Sequence, residues 1–498
     1  MRNISVKYTF LFIGLIGYTL AGLNWNIGIA AWIAPVFLLY YTKTTKWSGF
    51  FLFYLGMAVS AALSKTAENL SGLFIIYITT GLSHGAINSL PYVIEKLLAR
   101  KEDGFYSTFI FPSAVVLIEY LLSLVLGIWG NSSIAQYNHL HFIQMTSLFG
   151  IFGISFMVAW LASLVNWFIS RGFEKKYLIR GLSIYGAVIL VVLIYGTIRT
   201  NMFTPRSETV RVAAIVSDAD IHEIFNRYKE EIIEYSINDQ FDIPKNIYSS
   251  DAAIALQISK TKEAILNGPT IIVWNEISLI LEQSQQDSLL LQLKKLCRES
   301  KVYVLAAFLE KNIGTLAKPF NNKSVLISPD GEIAWEYLKS VLNPIEKLII
   351  NRGEAVIPFI DSEYGRIGNV ICADLDLPRY MSQIGKKRIE LLLVPAYDWE
   401  KVTPYHSNMA AFAAIQYGTS LVRANGKGIV AMYDFKGNAL SRMNTFTADS
   451  KIVYAEIPIQ STTTVYSIIG DVFVFFWIIF LLIVVGLKIA KNIGHSTN

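Results

Sequence analysis

The chain has 498 residues, of which 53% are hydrophobic and 16% charged, against about 25% charged in an ordinary soluble domain. This balance excludes a typical soluble enzyme and a disordered chain, and 13% aromatic residues with only 14 prolines exclude collagen-like and low-complexity readings. Two cysteines exclude a disulfide scaffold, and a net charge of +5 is too small for this length to indicate a nucleic-acid partner.

Apolar runs long enough to cross about 30 Å of hydrocarbon predict seven membrane spans before residue 200, at 8–24, 27–41, 48–64, 70–94, 106–130, 142–169 and 182–198, and an eighth at 466–487. With further spans behind it and no small-residue cleavage site, the first run is not a cleaved signal peptide. Basic residues fall in alternate connections. Arg2 and Lys7 precede the first span, and Lys43 and Lys46 follow the second. Lys96, Arg100 and Lys101 follow the fourth, Arg171, Lys175, Lys176 and Arg180 the sixth, and Lys488 and Lys491 the eighth. The remaining connections are nearly bare: 24–26 and 131–141 carry no Lys, Arg, Asp or Glu, and 64–69 holds Lys65 and Glu68. The positive-inside rule therefore predicts both termini in the cytoplasm and residues 201–464 outside it. Within the spans, Glu119 reads either as an interhelical anchor or as a contact to a lipid headgroup or substrate amine. His84 reads as a packing histidine.

From residue 209 the texture changes. Residues 209–217 (TVRVAAIVS) predict a buried strand, 219–238 and 251–266 predict helices, and PTIIVWNE a strand. Residues 284–298 place Leu289, Leu290, Leu293 and Leu296 at helical spacing, and VYVLAAFLE is a strand. KSVLISPDGEIAWEYL is a hairpin turned at Pro329-Asp330-Gly331, and GRIGNVICADL and IELLLVPAY are strands. A helix at 408–417, a second hairpin in GIVAMYDFKGNALS and a closing strand KIVYAEIPI complete the pattern. Strands alternating with helices indicate a layered α/β domain at 209–458. It follows a polytopic α-helical membrane domain at 1–199, with short linkers at 200–208 and 460–465 and a final span at 466–487. No internal repeat is evident.

Chemistry concentrates at three strand ends. Cys372 follows GRIGNVI and precedes a turn ahead of Pro378, so its sulfur is placed to project from a sheet edge. A nucleophilic thiol needs a base and a group to hold the oxyanion. Glu276 ends IIVWNE and Lys339 ends WEYLK, where side chains can converge above a sheet. A glutamate there suits a general base that later acts as acid, and a lysine suits oxyanion stabilisation and lowering of the thiol pKa. Each residue alone is more often structural than catalytic.

The flanking motifs add to this. VWNE, YLK, GRIGNVICADLDLP, HSNMAAFAAIQYGTSLVRANGKG and DFKG, in that order, resemble the motifs of the nitrilase (carbon-nitrogen hydrolase) superfamily. That resemblance implies a four-layer α-β-β-α fold and a Glu-Lys-Cys triad: Glu276 as base, Lys339 as oxyanion stabiliser and Cys372 as nucleophile. A nitrilase-like domain between seven spans and an eighth further resembles the apolipoprotein N-acyltransferase family. The stretch FPSAVVLIEYLL…GIWGNSSIAQYNHLHFIQMTSLFGIFGISFMVAWLASLVNW is similar to that family's fifth and sixth spans.

The chain departs from the family pattern at several points. A proline usually precedes the base, where Asn275 stands here. A histidine and a Gly-Glu-Tyr turn usually follow the lysine, where KSVLNPIEKL stands; Glu346 is the nearest match to the family's second essential carboxylate, one residue closer to the lysine. An aromatic residue and a glutamate usually follow the cysteine, where Ala373-Asp374 stands, closer to the soluble nitrilases in its acid. These departures bear on the substrate rather than on the reaction type.

The family reaction implies a phospholipid acyl donor, an acyl thioester on Cys372, and the N-terminal amine of a diacylglyceryl-cysteine apolipoprotein as acceptor. It implies a bacterial cell (inner) membrane location, an extracytoplasmic catalytic domain, no cofactor and no nucleic acid. The loop 342–350 carries Leu348, Ile349 and Ile350, either as a lid dipping into lipid or as the start of a buried strand. Trp399 and Tyr405 are candidates to line the mouth of the site. Cys297 reads as core, and His406 as a packing or supporting residue. His222, His139 and His141 show no metal-ligand spacing with a cysteine, so no metal is expected. No phosphate-binding or dinucleotide fingerprint precedes a helix. Two further readings stand beside the acyltransferase: a membrane-tethered nitrilase-type amidase cutting an extracytoplasmic C–N bond, kept open by Asn275 and Asp374, and a degenerate domain serving as a binding module.

Overall fold

Main-chain polar groups surrounded by apolar side chains are satisfied within helices, so long apolar runs fold as such. The computed structural model describes residues 2–64, 74–100, 102–202, 208–217, 249–311, 318–344, 346–459 and 462–496. The helix expected at 219–238, with His222, and the positions Lys65, Glu68 and Lys101 lie outside these. Two units result, Met1–Phe203 with Ile468–Asn498, and Thr204–Ser467.

The first unit is helical: α1 (Arg2–Ala21), α2 (Gly28–Thr44), α3 (Gly49–Ser64), α4 (Phe74–Leu98), α5 (Ile110–Leu126), α6 (Leu140–Ile143), α7 (Thr146–Phe149), α8 (Ile151–Ser170) and α9 (Lys175–Met202). Among the described residues, four stretches are long and apolar enough to cross a membrane: Phe105–Leu126, Ile151–Ser170, Lys175–Asn201 and Val472–Lys491. Val6–Ala21 and Gly49–Ser64 are apolar but shorter. Helix α8 is buried along nearly its whole length, and Ala159 and Ala162 pack with Leu11, Leu38, Phe53, Met57, Tyr92 and Phe111. At Gly85 of the Gly81-x-x-x-Gly85 pair, a Cβ would lie 2.5 Å from the Ala58 Cα, so α3 and α4 approach at backbone distance.

Two expected spans are shorter than their apolar runs. The fifth stops at Leu126 because Gly127 turns to φ 68. The run at 142–169 is not one helix: Gly150 at φ 66 separates α7 from α8, and polar Gln144, Thr146 and Ser147 lie in the broken part. Glu119 accepts the Ser132 N–H at 3.0 Å, an anchor for the segment that follows α5. The basic residues gather: Lys43 pairs with Glu95 at 2.6 Å, Lys96 donates to the Thr42 and Thr45 carbonyls, and Lys488 and Arg171 both bond Asp103.

The second unit holds two sheets. Its strands are β1 (Thr209–Ile215), β2 (Ile271–Trp274), β3 (Ile280–Leu281), β4 (Tyr303–Lys311), β5 (Phe320–Ile327), β6 (Ile333–Leu338), β7 (Phe359–Ser362), β8 (Gly365–Asn369), β9 (Leu391–Ala396), β10 (Ser420–Asn425), β11 (Ile429–Tyr433), β12 (Ala439–Asn444) and β13 (Ile452–Pro458). The first sheet runs β13-β1-β2-β4-β5-β6 with β3 beside β4, and the second β12-β11-β10-β9-β8-β7. Each has three parallel strands at its centre (β1, β2, β4 and β8, β9, β10), one antiparallel strand on one flank and two on the other. Helices α10 (Asp251–Leu266) and α11 (Gln283–Ser300) set Ile254, Ile258, Leu289, Leu293 and Cys297 against Ile272, Trp274, Val304 and Phe308. Helix α14 (Tyr405–Tyr417), wholly buried, lies on β10 and β11, beside α13 (Pro378–Lys387). The other sheet faces meet at β1, β2, β9 and β10, which is why β9 is buried at every position. The order is α-β-β-α, a nitrilase-like domain. Between β6 and β7 lies the single-turn α12 (Glu346–Ile349); α15 (Val465–Ile469) follows β13, and α16 (Val472–Ser496) belongs to the first unit.

Candidate active site

Three turns position the candidate residues. Glu276 lies two residues beyond β2, and Ile277 after it has φ 48, a conformation rare for a β-branched residue. Asn275 holds this turn: its Oδ1 accepts the Ser217 N–H at 2.7 Å and its Nδ2 donates to the Glu276 carbonyl at 2.9 Å. The departure at Asn275 thus has a structural use, since a proline could make neither bond.

Lys339 is set by the first hairpin. Gly331 at φ 75 closes its turn, its N–H donating to the Ser328 carbonyl at 2.8 Å. The resulting register puts Lys323 opposite Leu338, and the Lys339 N–H donates to the Asn322 carbonyl at 2.9 Å. The Lys339 Nζ donates to Glu276 Oε1 at 2.8 Å and to Glu346 Oε1 at 2.6 Å, and Asn322 Nδ2 donates to the same Glu276 oxygen at 2.7 Å. Glu346 Oε2 accepts the Asn343 N–H while its own N–H donates to Asn343 Oδ1, both at 2.9 Å. Glu276 and Lys339 are buried and Glu346 half-buried. Removing Lys339 would leave the buried Glu276 carboxylate without its cation, at a cost of roughly 3–5 kcal/mol, whereas removing Glu276 leaves Lys339 paired with Glu346.

Cys372 opens a short turn, Cys372–Asp376, three residues beyond the second-sheet strand β8. Its φ of 47 is a strained position for a side-chain-bearing residue, of the kind concentrated at functional sites. Asp374 fixes that turn without facing the chemistry: its carboxylate accepts from the Ile371 N–H at 2.9 Å, the Ser340 and Val341 N–H groups at 3.0 and 2.6 Å, and the Tyr337 hydroxyl at 2.6 Å. It therefore ties the cysteine turn to the lysine turn across the two sheets. Burial pushes its pKa up to about 6 against these donors.

Burial and the Glu276 charge hold the Cys372 thiol well above its ordinary pKa, while Lys339 and Arg423 pull it down. The resting sulfur is therefore protonated at neutral pH, and attack requires a base. Burial opposes the Lys339 charge, but Glu276 and Glu346 outweigh it and raise that pKa. Glu346 is raised by burial, with Lys339 opposing.

A second charged group borders Cys372. His406 Nδ1 bonds Asp398 Oδ1 at 2.6 Å and its Nε2 sits 3.1 Å from both Asp376 oxygens. Arg423, fully buried in β10, donates from Nη2 to Asp398 Oδ1 at 2.9 Å, and Asn425 Nδ2 donates to Asp398 Oδ2 at 2.6 Å. Burial and Arg423 oppose protonation of His406, but Asp376 and Asp398 outweigh them and lift its pKa to about 8. Cys372 Sγ, an Asp398 oxygen and a His406 nitrogen lie within 4.8 Å of one another. This is a poor cation site, because both imidazole nitrogens already bond carboxylates and a guanidinium stands 2.9 Å from Nδ1.

The structure thus joins Glu276, Lys339 and Glu346 in one hydrogen-bonded group, with the Glu276 and Lys339 charges acting on Cys372, and assigns Asp374 to the scaffold. Ile349 and Ile350 are buried, with Ile350 bridged to Phe320, whereas Leu348 is 52% exposed. The expected strand start is met only at Ile350, since Leu348 and Ile349 belong to the single-turn α12. Tyr405 is buried and Trp399 half-buried. Asn322, Asp376, Asp398 and Arg423 were not singled out from sequence. Only the hairpin register reveals Asn322; for Arg423 the signal was an arginine inside the apolar strand SLVRAN.

Residues 240–466 match the carbon-nitrogen hydrolase family, and residues 15–164 match the apolipoprotein N-acyltransferase N-terminal domain. The chain is similar to an apolipoprotein N-acyltransferase of Geobacter metallireducens, 26% identical over 415 residues that cover 77% of this chain and 74% of that protein. It is also similar to one of Borreliella burgdorferi, 23% identical over 393 residues, 71% and 70% of the two chains. Among solved structures, an amidase from Nesterenkonia sp. aligns at 15% identity with a TM-score of 0.38, over 52% of this chain and 94% of that one. One polypeptide thus carries a match to an apolipoprotein N-acyltransferase N-terminal domain and a match to a carbon-nitrogen hydrolase domain, and over most of its length it is similar to apolipoprotein N-acyltransferases.

Proposed function

We propose that the protein moves an acyl chain from a membrane phospholipid, through a thioester on Cys372, to the N-terminal amine of a diacylglyceryl-cysteine apolipoprotein. In this reading Glu276 takes the thiol proton as sulfur attacks the ester carbonyl carbon, and Lys339 holds the oxyanion. When the C–O bond breaks, the leaving glycerol oxygen receives the proton from Glu276, which yields a lysophospholipid and the acyl-enzyme. The acceptor amine then attacks the thioester and gives a proton to Glu276. The C–S bond breaks, the amide is complete, and the sulfur regains the proton. Glu346 and Asn322 serve as positioning residues, fixing Lys339 and the Glu276 carboxylate.

The observation that carries the reading is the match to an apolipoprotein N-acyltransferase N-terminal domain in the same chain as the buried Glu276–Lys339 pair, whose charges act on Cys372. The protonated resting thiol supports a base-assisted attack rather than a preformed thiolate. The gathering of Lys43, Lys96, Arg171 and Lys488 into linked polar contacts supports the orientation in which that end of the first unit, with both termini, is cytoplasmic, and the catalytic domain extracytoplasmic.

The test is intact-mass measurement of the full-length protein after incubation with a phospholipid of defined acyl chains. The expected result is an adduct of one acyl chain, removed by hydroxylamine and absent in Cys372→Ala. No adduct from any phospholipid, with the thiol still open to alkylation, would replace this reading by the amidase.

A further inference from the structure

The second charged group beside Cys372 has no part in the reaction as written above. Its contacts are nonetheless built around the cysteine. Cys372 Sγ lies within 4.8 Å of Asp398 and His406 ligating atoms, and Arg423 Nη2 stands 2.9 Å from Asp398 Oδ1 and 2.9 Å from His406 Nδ1. Both cations converge on one Asp398 oxygen, while Asn425 holds the other.

Arg423 is not used up by these contacts. Its Nε and Nη1 are buried and have no acceptor among the described residues. A guanidinium kept only for structure would be expected to find acceptors for such donors, because an unmatched buried N–H is costly. The charge balance on the other side of the cysteine points the same way. Lys339 is one positive charge bonded to two carboxylates, Glu276 and Glu346, so it has little left for a third negative charge. Arg423 and His406 are balanced by Asp398 and Asp376, which lets both cations persist in the interior.

We propose that Arg423 is a second cation of the active site, held beside Cys372 by Asp398 and His406, with its free N–H groups directed to the negative charge that grows at the cysteine during acyl transfer. It is a positioning and charge-stabilising residue; the proton still passes from sulfur to Glu276, and no bond to Arg423 forms. The inference rests on Cys372 being the nucleophile. The groups acting on that sulfur are Glu276 and Lys339 from the first sheet, with Glu346 behind them, and Arg423, Asp398 and His406 from the second, with Asp376 behind them.

The test uses full-length protein in detergent and two readouts: the pH profile of Cys372 alkylation by iodoacetamide, resolved from Cys297 by peptide mass, and the rate of acyl-enzyme formation from a defined phospholipid. Arg423→Met is expected to move the alkylation profile upward by about one pH unit or more and to slow acyl-enzyme formation about tenfold or more. Arg423→Lys is expected to recover most of the profile. If the methionine variant does not fold, Arg423→Gln, which keeps a donor for Asp398, takes its place with the same expectation. A neutral variant with the wild-type profile and rate overturns the proposal, and so does a lysine variant as shifted as the neutral one, since shape rather than charge would then be at work. Wild-type protein that forms no adduct at all signals failure of the acyl-enzyme reading, whereas adduct formation unaffected by Arg423 signals failure of this inference alone.

Discussion

Asp374 is an acid more readily protonated folded than unfolded. Burial lifts its pKa to about 6, against about 3.9 in an unfolded chain. The native state therefore binds the proton more tightly, so the contribution to stability is complete below pH 4 and is lost as pH rises through 6. The shift corresponds to about 3 kcal/mol. Wild-type protein should lose thermal stability relative to Asp374→Asn as the pH goes from 4 to 6.5; a difference in Tm constant across that window would contradict this origin. The residue also marks a limit of sequence reading. An acid two positions after the cysteine was legible as a departure from the family pattern, but its purpose was not. The four donors it accepts come from three separate stretches, Tyr337, Ser340–Val341 and Ile371, and only sheet-on-sheet docking collects them.

Elements were legible where local chemistry decides them. Both hairpins carry turn residues at the right place, and the alternating or continuous apolar runs of β1, β4, β9 and β13 follow from burial on one or two faces. The broken run at 142–169 was not legible, because hydrophobicity integrates over a window whereas one glycine at φ 66 ends a helix. The Arg423–Asp398–His406 group was hidden for the same reason as the Asp374 contacts: its members lie on β10, the β9 turn and α14, apart in sequence. Among the elements, the first hairpin has the most direct hold on the site, since its register sets Lys339 beside Asn322. A Cβ at Gly331 would lie 2.6 Å from the Lys294 carbonyl oxygen at a positive φ of 75. Gly331→Ala is therefore expected to cost about 1–2 kcal/mol, read as a lower denaturation midpoint. A midpoint equal to wild type would show that the turn tolerates a side chain and does not set the register.

At the scale of the whole molecule, the proposed orientation makes a direct prediction. Lys46 and Ser450 are both exposed. In intact cells, a membrane-impermeant maleimide should label Ser450→Cys and leave Lys46→Cys unlabelled until the membrane is opened. The reverse pattern would invert the topology and place the catalytic domain on the cytoplasmic side.

The division of the site between two sheets has a consequence for biogenesis. Glu276 and Lys339 come from the first sheet, Cys372, Asp398 and Arg423 from the second, and the strand that completes the first sheet, β13, is encoded after all of the second. A nascent or truncated polypeptide can present Glu276 and Lys339, or the Cys372 thiol, but not the two-sheet cluster that the proposed reaction needs. On that proposal, lipid esters around an incompletely made chain would be spared until the last strand is in place.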